Sequence, residues 1–300
     1  MNQTAIGIIG IGMVGTPLKR WFEERGYKRG EHLFLFDIDS KKNYTDDTSR
    51  ADIIFLAVPT PRGTSGAADL SRLDDAFRAI AGGKTVVIKS TVPPGTTEMF
   101  QKRYPHHRIL FNPEFLTEAH AWEDTIHPDR QLVGWTGMSK SIASDILSLL
   151  PPAPVVSPSG ALSLSATEAE IVKYGANVFL TRKVTFANAM FDLALYHGVN
   201  YDAIRAGIAA DPRIGSSHLD VSHGGYRGYG GYCFVKDTDA LIAHCREVGL
   251  TGAAELFDAD RAYNTALLAS QKLTPEDVSV HDAEWIQNKK QQVTGDKQQG

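Results

Sequence analysis

Cysteine is scarce: Cys233 and Cys245 are the only two in 300 residues. Two cannot build a disulfide scaffold or a cysteine-rich zinc site, and so few point to reduced thiols in a cytoplasmic protein. An excess of positive charge is also missing. Lys and Arg number 31 against 35 Asp and Glu, a net charge of −4. A protein that grips phosphate backbones usually carries the opposite sign, which disfavours nucleic acid as the main partner. Long apolar runs are absent as well. The longest, residues 5–14, is broken by glycines and lacks a basic leader, so neither membrane span nor signal peptide is expected. What is present suits a packed core: 42% of residues are hydrophobic and 22% charged. Global disorder is thereby excluded, and the length suggests roughly two domains.

Short apolar runs at 5–9, 33–36, 53–58, 85–88, 109–111, 131–134 and 155–156 alternate with helical patterns at 16–25, 70–80, 96–103 and 140–149. Strand and helix in alternation predict an α/β fold over residues 1–160, a doubly wound parallel sheet covered on both faces. A Pro- and Ser-rich stretch, 151–160, follows. Ser165 and Glu168 then form a capping-box pattern that opens an uninterrupted helix to Tyr196, roughly 45 Å long at about 1.5 Å per residue. Helical patterns at 202–210, 239–247 and 253–270 flank a Gly- and Tyr-rich loop, 222–232. Residues 161–272 are therefore expected to form a spine helix with an all-α domain. Residues 273–300 are expected to be a polar, disordered tail.

Gly10-Ile11-Gly12-Met13-Val14-Gly15 places a G-x-G-x-x-G turn after the first strand and at the head of a helix. Gly10 makes the turn, Gly12 lets a pyrophosphate approach the backbone, and Gly15 packs helix on strand, while N–H groups near Val14 face the anion. The second strand ends at Asp37, placed to accept bonds from a ribose hydroxyl and to repel a 2′-phosphate, so NAD is preferred over NADP. Further on, Cys233 follows a glycine loop and precedes a helical pattern, with Lys236 close by. A thiol so placed is expected to have a lowered pKa, which would suit a covalent nucleophile. The ordinary alternative is a small buried residue, which Cys245 fits in mid-helix. Asp237 reads equally as a helix N-cap. Glu114 and Glu118, and Lys173 and Asn177, are pairs four residues apart, which by spacing alone describe one helix face each. The run 224–231 contains a single Arg, too little for an RNA-binding patch.

Six stretches in order carry a resemblance: Ala57-Val58-Pro59-Thr60-Pro61; Lys89-Ser90-Thr91-Val92-Pro93-Pro94-Gly95-Thr96; Asn112-Pro113-Glu114-Phe115-Leu116-Thr117-Glu118; Glu168-Ala169-Glu170-Ile171-Val172-Lys173-Tyr174-Gly175-Ala176-Asn177; Arg213-Ile214-Gly215; and Gly228-Tyr229-Gly230-Gly231-Tyr232-Cys233-Phe234-Val235-Lys236-Asp237. Together they resemble the UDP-glucose/GDP-mannose dehydrogenases, NAD-dependent enzymes that oxidise the primary alcohol of a nucleotide sugar to a carboxylate in two hydride transfers. The resemblance implies a Rossmann-like NAD domain in which Gly10, Gly12, Val14, Gly15, Asp37, Thr60, Thr91 and Glu118 hold the cofactor. It implies that Asp237, with Thr91 and a water, helps remove the alcohol proton, and that Cys233 attacks the aldehyde. Glu114 or Glu118 would assist hydrolysis of the thioester, with Lys173 and Asn177 stabilising oxyanions. Glu114, Leu116, Lys173, Asn177, Arg213, Tyr229 and Gly230 would contact the nucleotide sugar. Arg213 would do so in a neighbouring subunit, which implies a homodimer. Three departures stand out: Val235 in place of proline, Asn188-Ala189 in place of Asn-Glu, and nothing in 273–300 that resembles the family's nucleotide-gripping C-terminal domain. Two alternatives follow, a non-catalytic NAD-binding partner subunit and a dehydrogenase of a simpler sugar or hydroxy acid.

Overall fold

The computed structural model describes residues 3–154 and 163–279. The chain divides into two units, one of Met1–Pro61 with Ala68–Lys173, the other of Arg62–Ala67 with Tyr174–Gly300. Both the boundary expected at residue 160 and the strand expected at 155–156 lie outside the described residues.

The first unit is an α/β sandwich. Strands β1 (Ile6–Ile9), β2 (Leu33–Phe36), β3 (Ile53–Leu56), β4 (Thr85–Ile88), β5 (Arg108–Phe111), β6 (Val133–Trp135) and β7 (Ser163–Ser165) form one sheet in the order β2-β1-β3-β4-β5-β6-β7. Alternate residues of each strand enter opposite cores. Phe34, Ile54, Val86 and Ile109 lie with Phe77 and Phe100, while Leu35, Phe55, Val87 and Leu110 lie with Leu18 and Phe22. Burial on both faces is why these strands read as continuous apolar runs. Helices α1 (Gly15–Glu23), α2 (Ser71–Ala79), α3 (Thr96–Arg103) and α5 (Ala143–Leu149) match the expected patterns. The sheet is not parallel throughout, because β6 runs antiparallel to β5. Their connection carries only the six-residue α4 (Ala121–Ile126), too short to cross the sheet as a parallel connection requires.

Helix α6 runs from Ala166 to Tyr196, and the division between units falls within it. Its predicted capping box is formed: Ser165 N–H and Oγ both donate to Glu168 Oε2 at 2.7 Å, and Glu168 N–H donates back to Ser165 Oγ at 3.3 Å. The second unit continues with α7 (Tyr201–Ala209), a small hairpin of β8 (Ser222–His223) and β9 (Tyr226–Arg227), α8 (Gly231–Glu247) and α9 (Thr251–Ser270). Two expectations are corrected here. Helix α8 starts at Gly231 rather than at 239, inside the supposed glycine loop. Residues 273–279 are packed rather than part of a polar tail. Leu273 and Val278 are buried against Tyr226 and Leu268, and Thr274 and Asp277 cap each other. The two corrections share one cause, since a Cβ on Gly230 would lie 2.6 Å from the Val278 carbonyl oxygen and would also strike the Tyr226 hydroxyl. The glycine serves close packing, and the chain is free to become helical directly after it.

Candidate active site

In the first unit the glycine turn is shaped to hold an anion. Gly10 has φ +93°, and a Cβ there would stand 2.6 Å from the Ala57 carbonyl oxygen. Gly12 has open space where its Cβ would be. Helix α1 begins without a side-chain cap at Val14; the Thr16 N–H is taken by the Gly12 carbonyl and Pro17 has none, so the Gly15 N–H and those of the turn before it are what this helix end offers an anion. Asp37 follows β2 and is nearly buried; its Oδ2 accepts from Ile11 N–H at 2.7 Å and its Oδ1 from Asp39 N–H at 2.9 Å. Burial works to raise its pKa, but Lys42 and the two N–H donors outweigh it and hold the carboxyl below its ordinary value. Lys42 bonds both Asp37 Oδ2 at 2.9 Å and the Ile11 carbonyl at 3.0 Å. The lysine therefore braces the turn against the carboxylate. These residues fit a dinucleotide: backbone donors for a pyrophosphate and an ionised carboxylate for a ribose. Thr60 and Thr91 are joined through the Thr60 hydroxyl, which donates to the Thr91 carbonyl at 2.7 Å.

Beyond β5 the same unit holds a buried ion pair. Lys173 Nζ donates to the Glu114 carbonyl at 2.6 Å and to Glu114 Oε1 at 3.0 Å, while Leu116 N–H donates to Oε2 at 2.7 Å. Lys173 is 2% exposed and Glu114 7%. Burial opposes the Glu114 charge, yet Lys173, the Leu116 N–H and Lys89 together hold its pKa below the ordinary carboxylate value. Neither member is on a solvated surface. Glu114 and Glu118 do not share a helix, since the chain from 112 to 117 is irregular and Glu118 only begins a short turn, Glu118–His120. The Glu118 side chain lies outside the described part. Two residues assigned no role from sequence belong here. Lys89 donates to Asn112 Oδ1 at 2.5 Å. Glu170 accepts from Gly95 N–H, Thr97 N–H and Thr97 Oγ1 at 2.6, 2.8 and 2.6 Å. The available signal for Lys89 was its position at a strand's C-terminal end, where α/β folds bind ligands.

In the second unit Cys233 is the third residue of α8, and Asp237 stands one turn further along the same helix. Asp237 is therefore no N-cap. It is fully buried, and it accepts from Asn177 Nδ2 at Oδ2 (2.6 Å) and from Lys236 Nζ at Oδ1 (2.5 Å). Burial disfavours charge on Lys236, but Asp237 and Cys233 beside it more than restore it, so its pKa is raised. Gly230, the residue before α8, offers no side-chain cap, which leaves the positive helix end to the turn that carries Cys233. Neither cysteine is in a disulfide; Cys233 is half-buried and Cys245 buried. Tyr229 is buried, its backbone gripped by Asn264 through bonds of 2.8 and 3.0 Å. Its side chain lines a cavity of about 600 Å³ with Arg62, Asp239, Arg261 and Glu276. Arg213 stands apart from these groups, 87% exposed at its side chain and chelated by Asp211.

Comparison with known proteins gives the same outline. Residues 38–148 match the NAD-binding domain of the UDP-glucose/GDP-mannose dehydrogenase family, and residues 167–266 match that family's central domain. The chain is 38% identical over 228 residues to a UDP-glucose 6-dehydrogenase of Rhizobium meliloti, covering 71% of this chain and 51% of that one. It is 36% identical over 249 residues to UDP-glucose 6-dehydrogenase 3 of Arabidopsis thaliana, covering 76% and 49%. The chain thus spans about half the length of these curated relatives. Among solved structures, a UDP-glucose dehydrogenase from the archaeon Pyrobaculum islandicum superposes with a TM-score of 0.75 at 29% identity, over 88% of this chain and 68% of that one. A UDP-D-ManNAc dehydrogenase from Pyrococcus horikoshii shares the fold with a TM-score of 0.73 at 22% identity.

Proposed function

We propose that this chain, which belongs to the UDP-glucose/GDP-mannose dehydrogenase family, oxidises the primary alcohol of a nucleotide sugar, a UDP-sugar in first preference, to the carboxylate. The glycine turn and Asp37 would hold NAD, which would supply the hydride acceptor for each of the two oxidations. The chain's own residues do the rest. Asp237, dry and held by Asn177 and Lys236, is a base of fixed geometry. Cys233 Sγ bonds to the aldehyde carbon, giving a thiohemiacetal and after the second oxidation a thioester; water then breaks the C–S bond and the thiol leaves reprotonated. Lys173 and Asn177 are preorganised donors for developing oxyanions, a role in which buried groups act strongly. Glu114, kept ionised, is the base for the hydrolytic water.

The observation that carries this reading is the Asn177–Asp237–Lys236 cluster one turn from Cys233. A chain that only bound NAD would have no use for a desolvated, doubly bonded carboxylate beside a thiol. The test is absorbance of NADH with a panel of UDP- and GDP-sugars. Two NADH per sugar are expected, with turnover abolished in Cys233→Ser. Tight NAD binding without turnover of any nucleotide sugar would instead support the partner-subunit alternative.

A homodimer and a cytoplasmic location belong to the same reading. Phe179, Phe186 and Leu193 recur at seven-residue spacing along α6, exposed by 63%, 47% and 51%, and the two unbridged cysteines suit a reducing compartment. Such an apolar stripe marks an association surface, and Arg213 is exposed enough to serve a partner subunit. Light scattering should give twice the chain mass, reduced to one by Phe179→Glu with Phe186→Glu.

A further inference from the structure

Lys89 is a buried cation without an obvious task. It follows β4, is 7% exposed, and donates to Asn112 Oδ1 at 2.5 Å and to the Asn112 carbonyl at 3.5 Å. Asn112 is itself fully buried; its Nδ2 donates to Gln131 Oε1 at 2.8 Å and to the Leu132 carbonyl at 2.6 Å. This chain of bonds ties the ends of β4 and β5 to the approach of β6, immediately before Pro113-Glu114. For that tie a neutral donor would suffice. A buried ammonium is costly, and Lys89 is bound to Asn112, two residues before Glu114, whose own ion-pair partner is Lys173. Two buried ammonium groups thus flank the short segment that carries one carboxylate.

The proposed reaction supplies a reason for the second charge. Lys173 is required twice, as the ion-pair partner of Glu114 and as a donor to a developing oxyanion. When its proton turns to the oxyanion, Glu114 would be left as a buried, unpaired carboxylate and would take up a proton, losing its use as a base. We propose that Lys89 is a positioning residue that keeps Glu114 ionised and aimed while Lys173 is engaged with substrate. This rests on the functional reading above. The charged groups set on Glu114 are Lys173 from α6 and Lys89 from the end of β4, and a third cation, Arg130, lies over the neighbouring Phe115 ring at 3.8 Å. Burial pushes the Lys89 ammonium down to about 8, so the charge is retained across the neutral range and released above it.

The test is the pH dependence of kcat in Lys89→Gln and Lys89→Met, with Lys89→Arg as the conservative control. Gln can still donate to Asn112 and removes only the charge, so it also guards against misfolding of the Met variant. The acid limb of kcat should move up by about one pH unit in Gln and Met, a roughly tenfold loss at pH below the limb, with KM for NAD within about twofold, and Arg should restore the limb. A uniform loss at all pH values, or an unmoved limb in the folded Gln variant, overturns the proposal. In parallel, the protonated-carboxyl infrared band of Glu114, assigned by Glu114→Gln, is titrated in the substrate-free protein. A wild type without turnover would sink the functional reading, while an infrared titration of Glu114 unchanged by Lys89→Gln would sink the role of Lys89 separately.

Discussion

Replacing Glu170 by alanine should destabilise the first unit by about 3 kcal/mol. Glu170 is fully buried on α6 and supplies the N-terminal cap that α3 lacks, because Gly95 at that position has no side chain. Losing an N-cap costs about 1–2 kcal/mol. Stranding the Gly95 and Thr97 N–H groups in a dry interior costs roughly 1–3 kcal/mol each. These two figures overlap, and relief from burying a carboxyl offsets part, which leaves the value stated. For a domain of this size about 2–4 °C is lost per kcal/mol, so the melting temperature should fall by roughly 6–12 °C. The pH dependence gives a second check. Burial pushes the Glu170 carboxyl up to about 7 from 4.5, against the three donors that favour its charge. A folded pKa above the unfolded one means the group's pH-linked stability is complete below 4.5 and is lost as pH rises through 7. The gap between wild type and Glu170→Ala, followed by calorimetry, should therefore be wider at pH 5 than at pH 8. A drop of under 2 °C at pH 5, or a gap that widens towards pH 8, would refute the reasoning.

His107 should produce an acid-sensitive component of the opposite sense. It is fully buried, its Nδ1 accepts from Lys84 N–H at 3.1 Å, and burial lowers its pKa from 6.5 to about 4. Its contribution is present above pH 6.5 and fades as pH falls towards 4, roughly 2–3 kcal/mol in urea unfolding; an identical pH slope in His107→Gln would contradict this. Gly10→Ala should weaken NAD at least tenfold in calorimetric titration, since both the positive φ and the Ala57 carbonyl exclude a Cβ, and unchanged affinity would count against the assigned turn. Alkylation of the native protein by iodoacetamide should modify Cys233 and spare Cys245; equal labelling in a mass spectrum would remove the distinction drawn between the two thiols.

The glycine turn, Asp37, the two faces of each buried strand and the capping box at Ser165 were legible because each is a local pattern. A turn needs its glycines in fixed order, a strand buried on both faces is apolar at every position, and a capping box spans four residues. What the residue pattern determined by itself was therefore the Rossmann-like first unit and the shape of its first turn. The family resemblance pointed to Lys173, Asn177, Cys233 and Asp237 without showing how each is held. Only the tertiary structure decided that Lys173 pairs with Glu114 across 59 positions and Asn177 with Asp237 across 60. It decided too that Gly230 admits Val278 and lets α8 begin early, and that Lys89 and Glu170 are buried charges with tasks. For the charged residues among these the physical reason is common. A buried charge is tolerated only beside its partner, and the partner comes from a distant segment that folding alone brings within reach.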